Sequence, residues 1–79
     1  MNWEYIDFGK NSIENPYWYF ILTENVFFEG FLYKDPNSYG NYFLELYSES
    51  KNLVTSLSSV KITKAKREAK KIIEKFILD

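Results

Sequence analysis

Apolar residues near the end of the chain recur at the spacing of an α-helix. Most are three or four positions apart, so they fall on one side of a helix with 3.6 residues per turn. This apolar stripe consists of Ile62, Ala65, Ala69, Ile72, Ile73, Phe76 and Ile77. No Gly or Pro occurs in residues 63–79, and the hydroxyl of Thr63 is placed to cap the first turn. The pattern predicts an amphipathic helix from Thr63 to Asp79 that packs on a core.

The first sixty residues carry strand patterns separated by turn-forming residues. Strands are expected at Tyr17–Thr23, Val26–Lys34, Tyr42–Ser50 and from Leu53 to about Ser58, with residues 1–8 forming a short strand or a packed arm. The connections are residues 9–16, the tight turn Glu24-Asn25, the loop 34–41 and the turn 50–52. Tyr17–Thr23 is aromatic and branched throughout, as in a central strand buried on both faces. Strands followed by a helix predict one α+β domain over residues 1–79, with an antiparallel meander of three to five strands under a C-terminal helix.

Side chains of a strand alternate between two faces, and the alternation divides the central hairpin into two sets. One set is almost purely apolar and is the expected floor for the helix: Val26, Phe28, Gly30, Leu32, Tyr42, Leu44 and Leu46. The other set, here called the aromatic–acidic face, comprises Phe27, Glu29, Phe31, Tyr33, Phe43, Glu45, Tyr47 and Glu49. One helix covers only one face of a sheet, so the aromatic–acidic face needs a different cover or a partner.

Two interpretations of the aromatic–acidic face follow. In the first, the N-terminal arm folds over it through Trp3, Tyr5 and Phe8 and leaves an acidic rim. In the second, the face is a protein-binding surface, since Tyr and Phe are favoured at interfaces and contiguous apolar patches usually mark them. The predicted contact residues are Glu29, Phe31, Tyr33, Phe43, Glu45, Tyr47 and Glu49. Their carboxylates favour a basic protein surface over nucleic acid, whose phosphates need basic residues.

Charge divides the chain into two unlike parts. Residues 1–60 carry three lysines and eight acidic residues, a net charge of −5, whereas residues 61–79 carry seven basic and three acidic residues, a net charge of +4. Four of these bases follow one another along the polar side of the predicted helix. This basic stripe consists of Lys64, Arg67, Lys71 and Lys75, with Lys66 and Lys70 beside it. It makes a nucleic-acid-binding module the alternative function, because spaced cations on one helix side suit phosphates.

Catalysis is not expected. The chain has no His and no Cys, which removes the commonest general base and the commonest nucleophiles after serine. Its three glycines stand apart at positions 9, 30 and 40, so no phosphate-binding loop is present. Glu45 and Glu49, with Glu29 opposite them, are the carboxylates that could hold a hard cation, but no stretch resembles a calcium loop, and Asp35-Pro36-Asn37 lacks its spacing. We therefore expect no enzyme activity, no metal site and no cofactor.

These features together predict a small non-enzymatic protein-binding module. A cysteine-free domain of this size with two oppositely charged parts is typical of accessory proteins of phages and mobile elements, including anti-CRISPR inhibitors of host defence proteins. A homodimeric accessory protein that associates through the aromatic–acidic face is a further alternative. No basic-then-apolar leader opens the chain, and Trp18–Leu22 is too short to span a bilayer, so a cytoplasmic protein with no membrane partner is expected.

Overall fold

The computed structural model describes residues 2–9, 13, 15–22, 28–34 and 40–78, without the side chains of Leu22 and Leu78. Its elements are β1 (Glu4–Ile6), β2 (Tyr17–Leu22), β3 (Phe28–Lys34), β4 (Tyr42–Ser48), β5 (Asn52–Ser56) and α1 (Ile62–Leu78). The strands form one sheet in the order β1-β2-β3-β4-β5, and all neighbouring strands are antiparallel. The predicted α+β fold, a meander with one C-terminal helix, is confirmed.

Several element ends differ from the prediction. Strand β4 ends at Ser48 because the chain turns there: the Ser48 N–H donates to the Lys51 carbonyl at 2.9 Å, and the Lys51 N–H donates to the Ser48 hydroxyl at 3.2 Å. Helix α1 begins at Ile62, so Thr63 lies inside the first turn and its predicted capping role is wrong. The predicted turn Glu24-Asn25, the strand start at Val26 and most of the loop 34–41 lie outside the described residues.

The core lies between α1 and the sheet face that looks toward it. Strands β3 and β4 form its floor as predicted, since alternate residues of both strands are buried there. Ala65 and Ala69 are fully buried, and their small side chains let the helix approach the sheet closely. The buried cluster is Phe20, Phe28, Leu32, Leu44, Leu46, Leu57, Ala65, Ala69, Ile73 and Phe76.

One end of the predicted apolar stripe does not reach this core. Ile77 is 53% exposed, although Phe76 beside it is buried. Successive helix residues are about 100° apart around the axis, so Ile77 follows Phe76 away from the sheet. Ile72, on the other flank, is only partly buried. The prediction of a core position is therefore wrong for Ile77.

The N-terminal segment extends the sheet and does not fold over it. Strand β1 pairs with β2 in the register Tyr5↔Trp18, which places Tyr5 on the helix side. The Trp3 ring meets the Phe20 ring edge-on, with centroids 4.7 Å apart, and Trp3 packs against the core. The prediction that the arm covers the aromatic–acidic face is therefore wrong for Trp3 and Tyr5, because alternation turns both side chains toward the helix.

Strand β2 is covered on one face only. Phe20 is 3% exposed, whereas its neighbour Ile21 is 46% exposed. The single helix layer covers the Phe20 side, and β1 lies beside β2 in the sheet and not above it. The prediction that β2 is buried on both faces is therefore wrong.

Two lysine side chains lie over aromatic rings at the edges of the core. The Nζ atom of Lys66 lies 3.5 Å from the centroid of the Trp18 ring, and that of Lys51 lies 4.6 Å from the centroid of the Phe76 ring. A cation over an aromatic face is attracted by the ring, and the lysine stem covers apolar surface. Lys66, expected beside the basic stripe, therefore helps to hold α1 on β2.

Glu68 also holds the helix to the preceding chain. Its carboxylate accepts hydrogen bonds from the Ser58 N–H at 3.0 and 3.1 Å and from the Ser58 and Ser59 hydroxyls. A carboxylate that accepts several such bonds fixes the segment that donates them. Glu68 thus fixes the connection from β5 to α1.

Gly30 leaves room for the Phe20 ring on the helix side of the sheet. The two residues are opposite one another in the β2–β3 register, and a Cβ atom at Gly30 would lie 2.1 Å from Cε1 of Phe20. The ring therefore lies over the strand where β3 has no side chain.

The core predicts a large cost for truncating Phe76. Its ring lies 5.2 Å from that of Phe28, centroid to centroid, and is 8% exposed. Phe76→Ala should lower the free energy of unfolding by about 3 to 5 kcal/mol, because it removes buried contacts and leaves a cavity. Lys71→Ala, at an exposed helix position, should change it by less than about 0.5 kcal/mol. Equal losses for the two variants in urea unfolding would contradict this packing.

The Gly30 position predicts destabilisation by a single added methyl group. Gly30→Ala should lower the free energy of unfolding by about 1 to 3 kcal/mol, because the Phe20 ring must move out of its position. Ser56→Ala, at an exposed position of β5, is the control and should leave the melting temperature nearly unchanged. A Gly30→Ala variant that melts at or above the wild-type temperature would show that Phe20 lies elsewhere.

Candidate functional site

The aromatic–acidic face lies on the side of the sheet that looks away from α1. The register of β3 and β4 pairs Glu29 with Tyr47, Phe31 with Glu45, and Tyr33 with Phe43. These six predicted contact residues therefore share one face, and each is partly exposed. Glu49 lies just beyond the end of β4 and is exposed, and Phe27 lies outside the described residues.

The face is wider than predicted from the central hairpin. Tyr19 stands opposite Phe31 and Ile21 opposite Glu29, so β2 adds to it. Val54, opposite Glu45 on β5, is 55% exposed. Tyr17, in alternation with Tyr19, also lies on this face. The alternation of Tyr17, Tyr19 and Ile21 was present in the sequence, but a strand that is apolar on both sides does not reveal which side is open.

Phe31 is the centre of a cluster of aromatic rings. Its centroid lies 5.1 Å from that of Tyr19, 5.7 Å from that of Tyr17 and 6.0 Å from that of Tyr47. Next to this cluster the rings of Tyr33 and Phe43 are stacked 5.9 Å apart. Such pairs hold one another in place. The six rings therefore present a preformed surface that needs little ordering when a partner binds.

The carboxylates of this face are held by tyrosine hydroxyls. The Tyr19 hydroxyl donates to Oε2 of Glu29 at 3.0 Å, and the Tyr47 hydroxyl donates to Oε1 of Glu45. Each carboxylate keeps further acceptor positions, since an ionised carboxylate has about four lone-pair sites. Glu29 and Glu45 are therefore fixed acceptors among aromatic rings.

Both tyrosine hydroxyls of these pairs have a pKa above the ordinary value of 10.0. For Tyr19 the largest cause of the raised pKa is burial, followed by the hydrogen bond to Glu29 and the negative charge of that carboxylate. For Tyr47 the hydrogen bond to Glu45 raises the pKa most, followed by burial. The two hydroxyls therefore stay protonated at neutral pH and act as donors.

The face carries a depression of about 270 Å³. Four of its six lining residues are aromatic, and the other two are Glu45 and the exposed Asn15. The lining residues are Asn15, Tyr17, Phe31, Tyr33, Glu45 and Tyr47. Its volume is below the range of about 300–1,000 Å³ typical of small-molecule pockets, so it suits a single side chain better.

Neither the helix nor β1 covers this face. Helix α1 packs on the opposite side, and β1 continues the sheet at its edge. Phe8 meets only the outer part of the face, with its ring centroid 5.9 Å from that of Tyr17. Neither α1 nor β1 therefore covers the cluster around Phe31.

The basic stripe lies on the other side of the molecule. Lys64, Arg67, Lys71 and Lys75 are all exposed on α1, away from the sheet. The structure brings these four bases together on one side, as predicted, but separates them from the aromatic–acidic face by the whole thickness of the domain. The two charged surfaces therefore face opposite directions.

Within the described residues, no group of three or more acidic side chains is placed to hold a metal ion. The described helix is also neither long nor apolar enough to cross a membrane. Neither finding adds a site to the surfaces above.

The tyrosine–glutamate pairs predict a loss of stability in alkaline solution. Because the pKa values of Tyr19 and Tyr47 are raised above 10.0 in the folded state, folding favours the protonated hydroxyls. Their contribution is present below pH 10.0 and disappears as the pH rises through the raised values. Tyr19→Phe with Tyr47→Phe should therefore reduce the loss of unfolding free energy above that pH, measured by urea unfolding at a series of pH values. An identical alkaline loss in the double variant would contradict the pairs.

No protein-family model, curated protein or solved structure matches the chain. Support for a function therefore comes from the residues of the two surfaces: the open rings and fixed carboxylates on the sheet, and the exposed bases on the helix.

Proposed function

We propose that this chain is a small non-enzymatic protein-binding module that docks through the aromatic–acidic face onto a basic surface of another protein. One observation carries the proposal: six aromatic rings lie together on a sheet face that looks away from the only described helix. Rings on the helix side, such as Phe20 and Phe28, are buried by folding itself. Those on the outer side are only partly buried and receive no cover from α1 or β1, so a partner would add to their burial.

The rings are suited to supply binding energy. Interface energy is concentrated in a few aromatic and arginine side chains near the centre of the contact, where water is excluded. Phe31 holds that central position and is supported by rings on neighbouring strands. Because the rings are already in contact before binding, little side-chain freedom is lost on association.

The carboxylates are suited to select the partner. Glu29 and Glu45 lie among the rings and are held in place by Tyr19 and Tyr47. Fixed negative charges favour approach of a positively charged surface and disfavour an acidic one such as a nucleic-acid backbone. They also disfavour a symmetric homodimer through this face, because such a dimer would bring two copies of the same acidic patch together.

The basic stripe supports a second candidate, a nucleic-acid-binding module. All four of its side chains are exposed on one side of α1, where they are free to approach phosphates. Fewer features support this candidate, because the stripe has no aromatic residue for base stacking, and exposed helix faces are commonly charged.

Inhibition of a host defence protein, as by anti-CRISPR proteins, is a narrower form of the first proposal. It is supported by the size and the two-signed charge of the chain and would make the basic surface part of a defence protein. The cytoplasmic location would follow from that role.

Capture of partners with matched variants tests the proposal. Glu29→Gln with Glu45→Gln removes both charges while leaving amide oxygens that accept from Tyr19 and Tyr47, so the melting temperature should stay close to the wild-type value. A partner retained by the tagged wild-type protein from an extract of its own organism should be lost or reduced with this variant. Its measured association rate should fall, because long-range attraction is weakened.

Two control variants separate the surfaces. Glu74→Gln removes an acidic charge at an exposed helix position and should retain the partner. Lys64→Glu with Lys71→Glu reverses half of the basic stripe and should also retain it. If only the stripe variant loses the partner, the second candidate is favoured and the first is contradicted. The same holds if the wild-type protein retains nucleic acid and the stripe variant does not.

A further inference from the structure

The depression on the aromatic–acidic face has the chemistry of a receptor for one cationic side chain. Its lining combines four aromatic side chains with one glutamate. A cation within about 6 Å of an aromatic centroid is attracted by the ring, and the attraction increases when water is excluded. A carboxylate beside the rings adds a charge-assisted hydrogen bond.

Arginine fits this depression better than other cations. The guanidinium group is planar and stacks on rings, and it carries five N–H donors in its plane. Glu45 already accepts from Tyr47 through Oε1, so its remaining acceptor positions are available to such donors. Asn15 also lines the depression, and a carboxamide oxygen accepts hydrogen bonds. A lysine ammonium is more strongly hydrated and does not stack, and a quaternary ammonium has no N–H to donate.

We propose that the depression formed by Tyr17, Phe31, Tyr33, Glu45, Tyr47 and Asn15 is the anchor site for an arginine side chain of the partner protein. This inference rests on the proposed function and gives it one central contact. The guanidinium lies over the rings and donates to Glu45, while the surrounding rings exclude water. Tyr47 fixes the accepting carboxylate through its hydroxyl.

The second possible source of arginine is another copy of this chain. Its one arginine, Arg67, is exposed on the basic stripe. That contact would join unlike surfaces on opposite sides of the molecule, and such head-to-tail contacts continue into open chains unless they close into a ring. A partner protein avoids that consequence, and the experiment below distinguishes the two sources.

A titration with short capped peptides tests the site without knowledge of the partner. Three peptides differ at one position, which holds arginine, lysine or citrulline, the last being neutral and similar in shape to arginine. Ring resonances in ¹H–¹³C NMR spectra report binding. The arginine peptide should shift the resonances of Phe31, Tyr33 and Tyr47, the lysine peptide should bind more weakly, and citrulline should leave them unchanged.

Matched variants locate the contact. Glu45→Gln should weaken binding of the arginine peptide about tenfold, because a charge-assisted bond becomes a neutral one. Glu74→Gln should leave the affinity unchanged. The comparison of arginine with citrulline on the wild-type protein needs no variant, so the test holds even if Glu45→Gln unfolds the chain.

Four outcomes would overturn the inference. These are equal shifts with citrulline, tighter binding of lysine, no ring shifts with the arginine peptide, or the same ring shifts on raising the protein concentration alone. The last outcome would assign the site to Arg67 of a second copy. If the peptides fail while partner capture still depends on Glu29 and Glu45, the arginine site is wrong and the proposed function stands.

Discussion

The structure depends on one constraint: in the part of the chain that is described, one helix covers one face of a five-stranded sheet. The core is built where α1 meets the sheet, with Ala65 and Ala69 allowing close approach and Ile73 and Phe76 filling the space beyond them. Every described aromatic residue on the other face remains outside this core. In a domain of 79 residues, which buries a smaller fraction of its surface than a larger one, that leaves a prominent apolar surface. The functional proposal follows from this geometry.

The same constraint explains the two-sided charge of the molecule. The acidic residues of the open face lie among rings and are held by tyrosine hydroxyls, whereas the bases of α1 project away from the sheet. Lys66 and Glu68 lie beside these bases in the sequence but stabilise the fold. Lys66 lies over the Trp18 ring, and Glu68 accepts hydrogen bonds from Ser58 and Ser59. These charged side chains thus divide into those that hold the helix in place and those that define the outer surfaces.

Much of this arrangement was predictable, because backbone geometry imposes the periods of helices and strands. The helix follows from the 3.6-residue period of its apolar positions, and the floor of the core and the six hairpin residues of the other face follow from alternation along the strands. Other features depend on tertiary neighbours that local spacing does not contain. The sheet face on which Trp3 lies depends on the β1–β2 register. The exposed face of β2 depends on where the helix packs. The contact between Tyr19 and Glu29 depends on how β2 pairs with β3.

The central claim is that the rings around Phe31 are partly exposed to solvent in the free protein. A soluble paramagnetic reagent tests it most directly, because it accelerates the relaxation of ring protons that it can approach. The account predicts strong acceleration for Tyr33, Phe43 and Tyr47, and little for Phe20 and Phe28 in the core. Equal protection of the two groups of rings would show that the face is already covered, and would contradict a binding role for it.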